Sequence, residues 1–267
     1  MYMIKADSRN VRVRGWLNDV PLVSPSGTNI GMPLEFAAQW IVDGENTLRL
    51  EVIGPSLLPT GHAGFVGDKG ERHDTPIIEA EAWVRIIQLP VSFSGGEADG
   101  QIISELHWKF TDTPNPPTFP VVREANFMGR GVLGMRWRSS QLPPASPSST
   151  IHLSNWLREL AQAIVQGNTD VVVSAGEPGI RDLCEAMGQD ANLQLREFGR
   201  AFQQGASGAS LMPFHDDEIL TMPIANGQLL LCARRDGTPL LRTADGSPRP
   251  FSIETRVGML WEEWKLF

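Results

Sequence analysis

Residues 215–218 read His-Asp-Asp-Glu, four titratable side chains in a row. An imidazole beside a carboxylate is the material of an oriented general base, and neighbouring carboxylates are the material of a divalent-cation site. His215, Asp216 and Asp217 are therefore the catalytic candidates. The same run suits a solvated loop before a strand, where charge discourages edge-to-edge pairing. In an extended chain, consecutive side chains point to opposite faces, which works against three neighbours converging on one ion. No catalytic set and no metal site are assigned.

A second group of donors lies between Val52 and Ile77, in a long stretch with little periodicity. His62, Asp68, His73 and Asp74 are nitrogen and oxygen donors of the kind a metal uses, but their spacing matches no ligand frame. A loop of this length reads as partner-contacting or merely mobile. Two other chemistries find no support. No Gly-x-Ser-x-Gly elbow occurs, so a nucleophilic serine on a sharp strand-to-helix turn is not expected. Gly129-Arg130-Gly131-Val132-Leu133-Gly134 has the spacing of a dinucleotide loop, but no helical pattern follows it, only Met135 to Arg138 and then prolines. No cofactor is expected.

The chain has eight tryptophans and one tyrosine, Tyr2. Trp40 and Trp108 fall on the apolar faces of predicted strands and read as core. Trp83 shares its face with Glu79, Glu81 and Arg85. It is the candidate for an exposed contact, unless the second half of the chain covers it.

These residues must be positioned by two kinds of structure that meet at a break. Residues 139–150 are rich in Ser and Pro and carry no charge. Before them apolar residues alternate one by one; after them they recur at three and four. The reading is two domains: an all-β sandwich over 1–138, a stiff Pro/Ser linker over 139–150, and an α+β domain over 151–267. In the first, strands are expected around Val11–Leu17, Val20–Val23, Phe36–Val42, Leu48–Val52, Ile78–Ile86, Leu106–Phe110, Val121–Phe127 and Val132–Trp137. In the second, a helix capped by Thr150 or Ser154 is followed by one with Pro178 in its first turn and one capped by Asp190. Strands then run from Ile219, Gln228, Pro239 and Phe251; the last segment, Trp261–Phe267, reads either as a terminal strand at Trp264–Phe267 after a bend between Trp261 and Trp264, or as one helical turn.

Two stretches carry a resemblance. Leu17-Asn18-Asp19-Val20-Pro21-Leu22 and Val42-Asp43-Gly44-Glu45-Asn46-Thr47-Leu48-Arg49-Leu50 resemble the hairpin and following strand of galactose-binding-like jelly-roll domains. That implies a jelly-roll-like sandwich, with no ligand residues of the family to carry over. The order of helices and then strands in the second half resembles the NTF2-like superfamily, whose enzymes work inside a cone. The second half offers only His152 and His215 toward such a set.

Composition limits the function further. Of 267 residues, 41% are hydrophobic and 20% charged, so a core is affordable. The net charge is −8 and both halves are acidic, which argues against nucleic acid and for a basic partner surface, if any. The chain shows no N-terminal apolar run and no membrane-length segment, so a cytoplasmic protein is expected. Cys184 and Cys232 sit among apolar neighbours and read as buried, reduced thiols. The expected function is non-catalytic protein–protein contact, as in a bacterial toxin-neutralising (immunity) or secretion-associated accessory protein. Trp83 and the loop holding His62, Asp68, His73 and Asp74 are the candidate contacts. Two alternatives stand: an enzyme with a pocket in the C-terminal cone using His215 and nearby carboxylates, and a carbohydrate-binding sandwich.

Overall fold

The computed structural model describes residues 1–23, 30–31, 35–55, 80–90, 100–112, 119–131, 134–205, 209–244, 246–247 and 250–267. Two compact units divide at Gly131 and Val132. The Pro/Ser stretch thus lies inside the second unit, not between the two.

The first unit consists of antiparallel sheets. One has β1 (Tyr2–Arg9), β4 (Ile30–Gly31), β7 (Glu81–Gln88) and β8 (Gln101–Lys109) in the order β4-β1-β7-β8, with β5 (Glu35–Phe36) also on β1. The other has the order β3-β2-β6-β9, from β2 (Val11–Leu17), β3 (Val20–Val23), β6 (Gly44–Pro55) and β9 (Val121–Gly129). Alternation decides which face is inside. Ile4, Ala6, Val11, Val13, Leu48, Leu50, Val84, Ile86, Trp40 and Trp108 are buried, and the charged residues between those in the strands face out. β1, which the reading from sequence did not include, follows the same rule, with Ile4 and Ala6 in and Lys5 and Asp7 out.

The two motif stretches owe their form to paired asparagines. Asn18 and Asp19 turn the β2–β3 hairpin with left-handed backbone, φ 50° and 63°. Asn18 Nδ2 donates to Trp40 O (2.8 Å) and to Asn46 Oδ1 (2.7 Å), while Asn18 Oδ1 accepts from Thr47 N (2.9 Å). Asn46 Nδ2 reaches Val42 O and Gly44 O. These bonds satisfy buried backbone groups that no ladder reaches. They also explain one departure: Phe36–Val42 is no continuous strand but β5 followed by a 3-10 turn, Ala38–Trp40, which presents the Trp40 carbonyl to Asn18.

The second unit is three helices followed by a sheet. α1 (Pro147–Gln166) starts earlier than expected, because Ser146, not Thr150 or Ser154, is its N-cap. Ser146 Oγ accepts from Ser149 N and Ser149 Oγ accepts from Ser146 N, a reciprocal cap with Pro147 at the first helical position. α2 (Thr169–Met187) absorbs both Val171–Val173 and Pro178, so the proline is interior rather than N-terminal. Its missing N–H leaves Ser174 O without its usual helical donor. Lys265 Nζ lies 3.5 Å from that oxygen. α3 (Ala191–Gly205) is capped by Asp190, whose Oδ1 accepts from Asn192 N and Leu193 N, as expected. On α3 Ala201 is exposed and Gly199 is buried, and a Cβ at Gly199 would crowd Thr169 and Val173 at 3.2–3.3 Å.

The sheet runs β10-β11-β14-β15, from β10 (Ile219–Ile224), β11 (Leu229–Arg234), β14 (Thr255–Leu260) and β15 (Glu263–Leu266), with β12 (Leu241–Arg242) and β13 (Ser252–Ile253) as a separate short pair. Leu157, Ile164, Val172, Phe202, Val257 and Leu266 fill the space between helices and sheet. Residues 134–141 are part of this unit. The stretch toward Trp137 is a 3-10 turn, Arg136–Ser139, and not the strand expected over Val132–Trp137, whose first two residues lie outside those described. Asp182 on α2 accepts from Arg136 N (2.8 Å), Trp137 N (3.1 Å) and the Arg136 guanidinium (3.0 Å). Gln141 N then donates to Met259 O on β14.

Candidate functional site

The His-Asp-Asp-Glu run does not converge. Asp216–Glu218 form a 3-10 turn, and Glu218 folds back so that its Oε2 accepts from His215 N at 2.8 Å. Asp216 turns toward α1, where it bonds the Ser154 hydroxyl and the Arg158 guanidinium. His215, Asp216 and Asp217 are exposed, and His215 does not line the cavity described below. The run anchors the start of β10 to α1. His62, Asp68, His73 and Asp74 lie outside the described residues; among those described, no three His, Cys, Asp or Glu side chains stand close enough to share a metal ion. After Gly134 comes the 3-10 turn and no helix, so the glycine run lacks the helix N-terminus that a phosphate would need. Both cysteines are free and buried, and burial pushes the Cys232 thiol up to about 12, which leaves it without thiolate at neutral pH.

Trp83 is at the centre of the outward face of the first sheet. Register places it between Asp7 on β1 and His107 on β8. Lys5, Arg85 and Glu105 form the row on one side, and Arg9, Glu81 and Lys109 the row on the other. The ring is half-buried. Arg85 lies over it at 4.1 Å and Lys5 at 5.8 Å, within cation–π range. Arg85 is itself held by Glu105 at 2.7 Å. A hollow of about 240 Å³ opens beside the indole between Asp7, Arg9 and Glu81. The other outward tryptophan of this unit, Trp16, belongs to the other sheet and is stacked by Arg49 at 4.8 Å. Among the described residues, then, no two outward tryptophans share a sheet face in the way a sugar-stacking platform would require.

The second unit holds a larger cavity, about 660 Å³, between α1, α2 and the β14–β15 hairpin. α1 contributes His152, Trp156 and Glu159; α2 contributes Asp170, Val171 and Ser174; the hairpin contributes Glu262, Glu263, Trp264 and Lys265. The spacing on each element is simple. His152, Trp156 and Glu159 recur at four and three on one helical stripe, and Asp170 and Ser174 recur at four. The hairpin turn is Trp261-Glu262, both left-handed at φ 50° and 68°, where Asn-Gly is the usual pair. Lys265 is already engaged: it bonds Glu263 at 2.9 Å, holds that carboxyl below its ordinary value, and contacts Ser174 O. By contrast, no described ion pair or hydrogen bond reaches the side chains of Glu159, Asp170 or Glu262.

The sequence carries no pattern that marks this cavity as a whole. Its one local signal was Glu262-Glu263 set between Trp261 and Trp264, which read only as a bend. Compared with protein-family models, curated proteins and solved structures, the chain finds no match in any of the three.

Proposed function

We propose that this chain is a non-catalytic binding protein that works through protein–protein contact, with the Trp83 face as one contact surface. The observation that carries the reading is the composition of that face. One large aromatic ring stands at the centre of charged rows on both sides, with a hollow open at its edge. A central aromatic anchor inside a polar rim is the anatomy of an interface hot spot. Toxin neutralisation and accessory work in secretion are roles of this kind. Two antiparallel sheets support a jelly-roll-like sandwich for the first unit, and three helices before an antiparallel sheet support an NTF2-like order for the second.

A catalytic reading has one observation in its favour: His152 shares a cavity with Glu159 and Asp170. An oriented general base needs a hydrogen bond that fixes its imidazole, and among the described residues none is made by His152. Binding is therefore preferred.

The test is purification from the native host with and without Trp83→Ala. A stoichiometric protein partner is expected with the native chain, and its affinity should fall by about 2 kcal/mol or more in the variant, roughly thirtyfold. Recovery of the native chain alone, or equal affinity of the variant, would defeat the reading.

A further inference from the structure

β10 is the first strand of the order β10-β11-β14-β15, and no described strand lies on its other side. At the opposite end α2 packs against β15, where a Cβ on Gly179 would meet the backbone of Leu266 and Phe267. Residues 220–223 are all exposed, and no residue of β10 is charged. Charged side chains are the ordinary protection of an edge strand. Here two of the adjoining carboxylates are turned away, Asp216 to α1 and Glu218 to the backbone of His215.

The ladder fixes which backbone groups of β10 face outward. In an antiparallel pair, residues alternate between those that exchange both hydrogen bonds with their partner and those that exchange none. Phe267 N donates to Arg256 O, so the next residue, Val257, turns its groups the other way, to Leu230 on β11. Leu230 therefore faces away from β10. Its partner there, Pro223, has its carbonyl on the open edge, together with the groups of Thr221 and Ile219. The proline agrees with this, since it has no N–H to give a ladder. Ile219 N is taken by Asp216 O. The edge thus presents three acceptors, the carbonyls of Ile219, Thr221 and Pro223, and one donor, the Thr221 N–H. No described hydrogen bond reaches any of the four.

A second observation concerns side chains. Register puts Leu220 and Met222 beside Ala233 and Leu231, on the face away from the core that holds Cys232 and Val257. Leu220 is 49% exposed and Met222 43%. Further across, Ser140 closes the same face at Gly258; over Leu220 and Met222 it stays open.

We propose that β10 takes an extended segment of a partner protein as a fifth strand, with apolar side chains of that segment over Leu220 and Met222. Main-chain bonds supply the affinity of such an addition and alternate side chains its specificity. A second copy of the chain fits poorly. Paired antiparallel about Thr221, it would bring Ile219 opposite Pro223 of the other copy, and neither has an N–H to offer. A segment with free N–H groups answers all three carbonyls. The open strip is also narrow: six residues span roughly 20 Å and two strands about 10 Å, short of the roughly 800 Å² per partner that a stable dimer buries. The proposal rests on the reading of the chain as a binding protein, but not on the Trp83 face.

The experiment uses the full chain and the peptide acetyl-Thr-Val-Thr-Val-Thr-Val-Lys-amide, with calorimetry and hydrogen exchange. Saturable binding is expected, and the Thr221 amide should exchange about tenfold or more slowly in the complex than in the free chain. Two N-methylated forms of the peptide remove its N–H groups at alternate residues. One should lose about tenfold or more in affinity and the other should bind like the parent, because one set of N–H groups faces β10 and the other does not. Met222→Lys, at an exposed position, should weaken binding similarly. Pro223→Val restores an outward N–H and should bring on self-association that the native chain does not show. No saturable binding, equal affinity for the two N-methylated peptides, or an unprotected Thr221 amide in the complex would overturn the proposal. A native dimer that Met222→Lys dissociates would overturn the assignment to a foreign segment. If a variant does not fold, the N-methylated peptides carry the test on the native chain. Loss of peptide binding with a native-host partner still held at Trp83 would defeat this proposal alone; peptide binding with no such partner would defeat the Trp83 contact alone.

Discussion

Asp182 shows how one buried side chain can fix the position of a distant segment. It is 2% exposed and ties α2 to Arg136 and Trp137 through two backbone N–H groups and a guanidinium. Burial pushes its carboxyl above the ordinary value, with those three donors pulling the other way. Glu185 raises the Arg136 guanidinium further, so the cation stays charged. A carboxyl with a raised folded pKa is protonated more readily in the folded state than in the unfolded chain. Its contribution to stability is therefore greatest below the unfolded value and declines as pH rises through the raised one. Asp182→Asn should flatten that decline in urea unfolding followed across acid pH; an unchanged profile would count against the assignment. Asp182→Ala should destabilise the protein at neutral pH by about 1–3 kcal/mol, because the Arg136 and Trp137 N–H groups lose their acceptor, while the Arg136 guanidinium keeps Glu185.

At the scale of elements, helix propensity and packing oppose each other on α2. Glycine inside a helix is ordinarily unfavourable by about 1 kcal/mol relative to alanine, so propensity alone predicts that Gly179→Ala stabilises. The packing predicts the reverse. A Cβ on Gly179 would sit 2.7 Å from Phe267 Cα and 3.0 Å from Leu266 O, both backbone atoms at the end of the chain. Gly179→Ala should therefore destabilise by about 1–3 kcal/mol, through forced separation of α2 and β15; thermal unfolding of the variant decides the sign. The same neighbourhood explains why an interior proline is tolerated one residue earlier. The carbonyl it strands at Ser174 has Lys265 of β15 beside it. Local patterns made α2 legible as a helix, since its apolar spacing and the stop at Gly188 lie within the chain itself. They did not reveal that Pro178 and Gly179 are interior, because the reason is a strand nearly ninety residues away.

For the whole molecule, the division at Gly131 and Val132 makes a prediction about fragments. Residues 151–267 alone would lack the Ser146 cap, the first turn of α1, buried Met135 and Trp137, and the partners of Asp182. Loss of a buried tryptophan alone is worth about 3–5 kcal/mol. A fragment of residues 132–267 should unfold cooperatively in denaturant, whereas 151–267 should lack a cooperative transition. Equal behaviour of the two would mean that residues 139–150 are a linker, as the sequence reading expected. Among the described residues no helix is long and apolar enough to cross a membrane.

What the sequence determined by itself is what repeats or acts locally. Alternation marked the faces of β6, β7 and β8 and put Trp83 outward. The Asn18-Asp19 turn and the Asp190 cap were visible within a few residues, because each is a contest between neighbouring backbone groups and one side chain. Tertiary structure alone decided which polar residues meet. His215 to Glu218 are adjacent in the chain yet diverge, since the 3-10 turn sends Asp216 to α1 and folds Glu218 onto its own backbone. Glu262 lies far along the chain from Glu159 and Asp170 yet lines one cavity with them, because the Leu157, Val172, Val257 and Trp264 core holds two helices and a hairpin around it. Spacing in sequence carries no record of that convergence; it arises only when the apolar faces find each other.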